Sequence, residues 1–239
     1  MKLSDFSALT FDCYGTLIDW ESGIINALKP ITDPLDLDRD QILQAHALHE
    51  SQQQRTTPSK NYREVLAVVY KRLAEQWGVP VSWDQCLHYG RSVEHWPAFK
   101  DSAESLHYLK EHYKLVILSN VDNASFAFSN QKLEVEFDAI YTAEDIGSYK
   151  PSNRNFEYML EKLSGLDVGR SDILHTAESL FHDHQPANLH QLSNCWIYRR
   201  HSQPGFGATR NPGNQPRIDF TFNSMAELVA AHKLEVGGV

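Results

Sequence analysis

Four groups of polar residues stand directly after short apolar runs, and each could do chemistry. Asp12 closes the run 8–13 (ALTFDC) and precedes Tyr14-Gly15-Thr16. Ser119 and Asn120 close LVILSN at 115–120. Lys150 lies in Ser148-Tyr149-Lys150-Pro151, after a run at 138–142. Glu178, His182 and Asp183 follow a run at 172–176. A carboxylate such as Asp12 can attack an electrophilic centre and form an ester intermediate. It can equally cap a turn, and spacing alone weighs the two evenly. Thr16 could hydrogen-bond that carboxylate or cap the helix that follows. A lysine is by default a solvated surface residue. Placed beside Asp12, Lys150 would hold the carboxylate ionised and offset the charge of an anionic substrate. Ser119 and Asn120 could donate hydrogen bonds to a substrate carboxylate or phosphate, or satisfy loop backbone groups.

His175, His182, His184 and His190 resemble a metal cluster only superficially. Positions 182 and 184 do not share a helix face, and in a chain with 12 histidines such crowding needs no metal. No metal ligand is assigned; one of these imidazoles remains a candidate proton donor. Cys13, Cys86 and Cys195 are too few and too scattered for a disulfide framework or a zinc site.

These groups need elements that bring them together. Residues 21–97 read as helical throughout. The clearest piece is 62–77, where Tyr62, Val65, Leu66, Val69, Leu73 and Trp77 share one face, and Gly78 and Pro80 end it. Further helices cover roughly 36–54 and 82–93. After Pro97 the pattern alternates. Helices at about 101–111, 123–131, 152–163 and 183–191 are interleaved with strands at 115–120, 138–142, 172–176 and 194–199. That alternation predicts a parallel α/β sheet, in which ligands bind at the carboxyl ends of the strands. All four polar groups sit at such ends. Residues 201–217, with three prolines and three glycines, form a long surface loop, disordered or functional. A strand at 218–222 and a helix at 224–234 follow.

The chain has 239 residues, 41% hydrophobic and 22% charged, enough to bury a core without disulfides or a structural metal. Its net charge of −9 argues against nucleic acid or an anionic membrane surface as partner. A small anionic substrate needs only a local positive site. The first residues carry Asp5 and no apolar signal core. No window offers the ~18 apolar residues of a membrane helix. The expectation is a cytoplasmic protein with reduced thiols.

FDCYGTLID, LSN, SYKP and the stretch ending HDHQPA, in this order, resemble the four motifs of the haloacid dehalogenase superfamily. The resemblance spans essentially the whole chain. It implies an α/β fold: a Rossmann-like parallel-sheet core from residues 1–19 and 98–239, with a helical cap inserted at 20–97. It implies Asp12 as nucleophile, with Ser119, Lys150 and Asp183 in the second, third and fourth motifs. Phosphatases of the superfamily usually carry a second aspartate two residues after the nucleophile; here that residue is Tyr14. Asp-x-Tyr-Gly-Thr resembles instead the 2-haloacid dehalogenase branch, which attacks carbon without Mg²⁺ or another cofactor. Departures from that branch are Phe156 in place of a tyrosine, and Glu178 and Leu180 in place of a serine and an asparagine. Only Arg39 and Arg55 could stand for its halide-binding arginine. The extra carboxylate suits a cationic leaving group such as an amine.

Within the superfamily, DILHTAESL, WIYRRH and GATR extend the likeness to hydrolases that open a strained four-membered cyclic amino acid. That likeness implies attack by Asp12 on the carbon alpha to the substrate carboxylate. Ser119, Asn120 and the turn at Cys13 and Tyr14 would bind the carboxylate. Glu178, with His182, would face the ring ammonium, and Asp183 would position Lys150 or water. Trp20 and Trp96 are expected to pack the hinge rather than wall the site. A 2-haloacid dehalogenase and a Mg²⁺-dependent phosphatase are the alternatives. The partner implied is a small molecule, a cyclic amino acid or 2-substituted carboxylate. A homodimer, frequent in this branch, is left open.

Overall fold

The structure is a computed structural model and describes residues 1–237. In chain order the chain forms β1 (Ala8–Phe11), α1 (Trp20–Thr32), α2 (Arg39–Thr56), α3 (Tyr62–Gln76), α4 (Trp83–Gly90), α5 (Ser102–Lys110) and β2 (Lys114–Ser119). Then come α6 (Asn123–Leu133), β3 (Ala139–Thr142), α7 (Ala143–Ile146), α8 (Asn153–Ser164) and β4 (Ile173–Ala177). Last are α9 (Gln185–Leu189), β5 (Ser193–Ile197), β6 (Phe220–Phe222) and α10 (Met225–Gly237).

All six strands are parallel, in the order β3-β2-β1-β4-β5-β6. Helices cover both faces of such a sheet, so its central strands must be apolar on both sides. Every residue of β1 and β4 is buried accordingly, as are Leu115 to Ser119 of β2. The chain runs outward from β1 through β2 to β3, then crosses to β4 on the other side of β1. Strand order therefore reverses at β1, and the crevice at such a switch point is where open α/β sheets bind ligands. Register sets the polar groups at that edge: Phe11 pairs with Ile117 and Thr176, so Asp12, Ser119 and Glu178 emerge at neighbouring strand ends.

Four helices fill the segment 20–97, here called the cap. Side chains cap each start: Asp19, Asp38, Asn61 and Ser82 accept from backbone N–H groups of α1, α2, α3 and α4. The chain leaves the sheet domain and returns side by side: Asp19 N donates to Pro97 O at 2.8 Å, and Phe99 N to Leu17 O at 3.0 Å. Trp96 fills this junction so tightly that a Cβ on Gly23 would overlap its indole.

The sequence pattern misplaced few elements. Residues 180–184, expected to lead straight into a helix, form a wide π-type turn before α9. The one-turn α7 was not anticipated; Thr142 caps it, its hydroxyl accepting from Asp145 N. Among the described residues, no helix is long and apolar enough to cross a membrane.

Candidate active site

Asp12 stands at the end of β1, its own N–H donating to Thr176 O of β4 at 3.1 Å. The Lys150 ammonium donates three hydrogen bonds: to Asp12 Oδ1 at 2.9 Å, Asp183 Oδ1 at 2.7 Å and Leu118 O at 2.8 Å. Lys150 is only 1% exposed, which an ammonium tolerates only when it is paired. The Thr16 hydroxyl donates to Asp12 Oδ2 at 2.8 Å and accepts from Glu178 N at 2.9 Å. Both oxygens of Asp12 are thus oriented by fixed partners.

Asp183 is held from a second side. His175 Nε2 lies 3.0 Å from its Oδ1, and His175 Nδ1 lies 2.8 Å from Thr10 Oγ1. Burial opposes the Lys150 ammonium, but Asp12 and Asp183 outweigh it and hold its pKa above the ordinary lysine value. Burial also opposes the Asp183 charge, yet Lys150 and His175 hold that carboxyl well below the usual range. Burial pushes the Asp12 carboxyl up, with Lys150 pulling the other way. The result is a buried carboxylate aimed by a buried cation, an arrangement suited to nucleophilic attack on a small electrophile.

A narrow space of about 30 Å³ lies over Asp12. The sheet domain lines it with Asp12, Tyr14, Asn120, Val121, Lys150 and Asp183, joined by Ser179, His182 and Thr209. The cap lines it with Trp20, Glu50, Gln54 and Tyr62. Burial keeps His182 neutral, lowering its pKa to about 4; its Nδ1 lies 3.2 Å from Ser179 Oγ.

Of the residues singled out in the sequence, Asp12, Thr16, Lys150 and Asp183 form one hydrogen-bonded unit, and Tyr14, Asn120 and His182 line the space above it. Some of these have further partners, and others stand elsewhere. Asn120 spends its amide on the Lys150 backbone, donating to its carbonyl at 3.0 Å and accepting from its N–H at 2.6 Å. Ser119 Oγ is buried without a partner and does not line the space. Cys13 points into the apolar core. Tyr14 OH is engaged with Ser129 Oγ at 2.7 Å.

Glu178 requires a correction. It does not line the space over Asp12. Its N–H is tied to Thr16, its carbonyl accepts from Trp196 Nε1 at 2.8 Å, and its side chain borders a separate cavity with Trp196, Tyr198 and Arg200. Burial, with Glu21 nearby, pushes its pKa up to about 8. Trp20 also departs from expectation, because it walls the space, whereas Trp96 packs the junction as anticipated. Arg39 pairs with Glu21 at 3.6 Å, and neither it nor Arg55 lines the space.

Glu50, Gln54, Tyr62 and Thr209 escaped the sequence reading. One signal for the first two was present. The inward stripe of α2 runs Ile42, Leu43, His46, Ala47, Glu50, Gln54. A helix that turns polar groups toward the interior is either wrongly placed or built around a site.

The sequence profile of the haloacid dehalogenase-like hydrolases matches residues 6–175. The chain belongs to this family. No curated protein sequence matches the chain. Among solved structures it is similar to the L-2-haloacid dehalogenase PA0810, at 18% identity, TM-score 0.73, over 98% of this chain and 100% of that one. It is also similar to the L-2-haloacid dehalogenase of Xanthobacter autotrophicus with chloropropionic acid covalently bound, at 17% identity, TM-score 0.78, over 98% and 100%. A third is the magnesium-bound HAD-hydrolase YfnB of Bacillus subtilis, at 18% identity, TM-score 0.74, over 95% and 99%.

The donor set of this haloacid dehalogenase-like hydrolase does not fit magnesium. Mg²⁺ is held by several oxygens, carboxylates foremost. Here Tyr14 brings no carboxylate to the site, Lys150 and Thr16 already hydrogen-bond both Asp12 oxygens, and of the Asp12 and Asp183 oxygens only Asp183 Oδ2 has no partner. Among the described residues, no group of three or more His, Cys, Asp or Glu side chains could hold a metal ion.

Proposed function

We propose that this hydrolase opens the ring of L-azetidine-2-carboxylate, giving 4-amino-2-hydroxybutyrate through an ester on Asp12. The observation that carries this reading is the cap wall opposite Asp12. It offers a carboxyl, an amide, a phenol and an indole, and no guanidinium. Such a wall receives an amine, whereas a departing halide calls for a cation. The narrowness of the space excludes a bulky substrate.

In the first step Asp12 attacks C2. The C2–O bond forms, the C2–N bond breaks, and the ring nitrogen keeps the electron pair. That nitrogen begins as an ammonium, so it leaves as a neutral primary amine with both hydrogens and needs no separate acid. Release of ring strain lowers the barrier. Lys150 orients the attacking carboxylate, and Thr16 holds its second oxygen. The second amide hydrogen of Asn120, not used on the Lys150 carbonyl, and the turn amides at Cys13 and Tyr14 hold the substrate carboxylate near Lys150. In the second step water adds to Asp12 Cγ, and the alkoxide leaves as the product hydroxyl. The remaining water proton ends on the product amine, and Asp12 returns to a carboxylate. Asp183 keeps Lys150 in place throughout.

The similarity to L-2-haloacid dehalogenases, one with chloropropionic acid covalently bound, keeps halide displacement as a second reading. Both readings share the attack on carbon by Asp12. The experiment is turnover in EDTA, followed by NMR of the product and by halide release. Formation of 4-amino-2-hydroxybutyrate, abolished in Asp12→Asn, supports the proposal. Halide release from 2-chloropropionate with no azetidine opening replaces it by the second reading.

A further inference from the structure

A displacement at saturated carbon places nucleophile and leaving group on opposite sides of the carbon. Asp12 approaches from the sheet domain, so a departing nitrogen must face the cap. The cap groups at that wall come from α2 and α3, with Trp20 at the edge. Glu50 is the only one of them that can carry charge at neutral pH.

Its two oxygens differ. Oε1 accepts from Tyr62 OH at 2.8 Å and from Gln54 Nε2 at 3.4 Å. Oε2 accepts no hydrogen bond among the described residues; its nearest basic neighbour is His46 Nδ1 at 3.9 Å. Glu50 is 5% exposed. A carboxylate buried to this degree demands a partner, and the protein orients one oxygen while leaving the other open. The groups facing it from the cap and the loop before α8 are Tyr62, Tyr89, Tyr149 and His46. Burial keeps all four uncharged at neutral pH, with the three phenols pushed up and His46 lowered to about 3. Across the space stand Asp12, Lys150, His182 and Asp183, and the Lys150 charge is already shared between two carboxylates. Among the described residues, no protein cation is left for Glu50.

We infer that Glu50 is the specificity residue for the leaving nitrogen, its Oε2 pairing with the ring ammonium of a cyclic α-amino acid held over Asp12. This rests on the reading of the site as an amine-releasing hydrolase. The pair forms as substrate binds and becomes a hydrogen bond from the neutral amine once the C2–N bond has broken. Substrates of this class carry a carboxylate and a secondary ammonium on one small ring. An anionic leaving group meets repulsion at the same place. Burial pushes free Glu50 up to about 7, so the ionised form that pairs is lost as pH falls below neutrality.

The test is calorimetric binding to Asp12→Asn, which cannot consume substrate, and to Asp12→Asn/Glu50→Gln. The ligands are L-azetidine-2-carboxylate and cyclobutanecarboxylate, which has the same ring and no cation. Loss of the ion pair should weaken the amino acid roughly 30-fold and leave the carbocycle within about threefold. In Asp12→Asn the affinity for the amino acid should rise from about pH 5.5 to 8, and that rise should vanish with Glu50→Gln. Equal losses for both ligands, or none for either, overturn the assignment of Glu50 alone. Failure of Asp12→Asn to bind either ligand overturns the reading of the site and this assignment with it. Circular dichroism of each variant separates loss of fold from loss of the pair.

Discussion

Replacing Lys150 by methionine tests the buried ion network most severely. The variant keeps an unbranched side chain, one atom shorter, and removes its charge. Two carboxylates and the Leu118 carbonyl lose their donor at once. Asp183 retains His175, so Asp12 is left with Thr16 alone. An isolated buried carboxylate escapes by taking a proton. From an ordinary pKa of about 4, that costs about 1.4 kcal/mol per pH unit, or about 4 kcal/mol at pH 7. The range of about 3–5 kcal/mol for a broken buried pair agrees.

The sign with pH follows. In the wild type the depressed pKa of Asp183 contributes stability that is lost only as pH falls below the ordinary carboxylate range. Between pH 5 and 7 the wild type therefore changes little through Asp183, and its Asp12, raised by burial but still held by Lys150, adds a smaller penalty of the same sign as in the variant. In the variant the raised pKa of Asp12 penalises the fold more as pH rises. The destabilisation should shrink from about 4 kcal/mol at pH 7 to about 1–2 kcal/mol at pH 5. Urea unfolding of both proteins at the two pH values reads this directly. A difference below about 1 kcal/mol at pH 7, or one independent of pH, refutes the network as described.

Thr16→Val removes the hydroxyl between Asp12 and the Glu178 amide. It should cost about 1–2 kcal/mol of stability and lower kcat more than it raises KM, checked by unfolding and steady-state kinetics. Gly23→Ala pushes a methyl into Trp96 at the hinge. A fall of about 1–3 kcal/mol is expected, read as a lower Tm; an unchanged Tm shows that the junction has slack. Glu178 sits well above its ordinary pKa, so its contribution falls as pH rises from the ordinary range toward 8. Glu178→Gln, neutral throughout, should gain about 2 kcal/mol on the wild type between about pH 5 and 8, after allowance for partial solvent contact. Parallel stability curves for the two proteins contradict that.

Much of this site could be read from strand ends alone. An apolar run such as LVILS is long enough for one buried strand and too short for a helix, so its end is marked by the first polar residue. Parallel pairing then brings Asp12 beside Ser119 and Glu178 without any knowledge of the loops. Lys150 shows where residue type misleads: lysine is an exposed residue by default, yet two carboxylates and a carbonyl keep this one buried. Glu178 shows the limit at short range. Sequence proximity grouped it with His182 and Asp183, but the wide turn at 180–184 separates their directions. Glu50, Gln54 and Tyr62 lie at least 38 positions from Asp12 in sequence, and no strand register relates them to it. Only the docking of the cap does so. The Pro/Gly loop was legible as a loop and not as a wall. Arg200 fixes its start by pairing with Glu21 at 2.6 Å, Ala208 N donates to the same Glu21 at 3.1 Å, and Thr209 then reaches the space over Asp12.

The central claim is that Asp12 itself bonds to substrate carbon. A single turnover of L-azetidine-2-carboxylate in ¹⁸O-water, with enzyme in excess, tests it most directly. An ester on Asp12 hands an unlabelled oxygen to the first product and leaves ¹⁸O in the peptide that contains Asp12, read by mass spectrometry. A first product carrying ¹⁸O, with that peptide unlabelled, means that water attacks the substrate directly and contradicts the account.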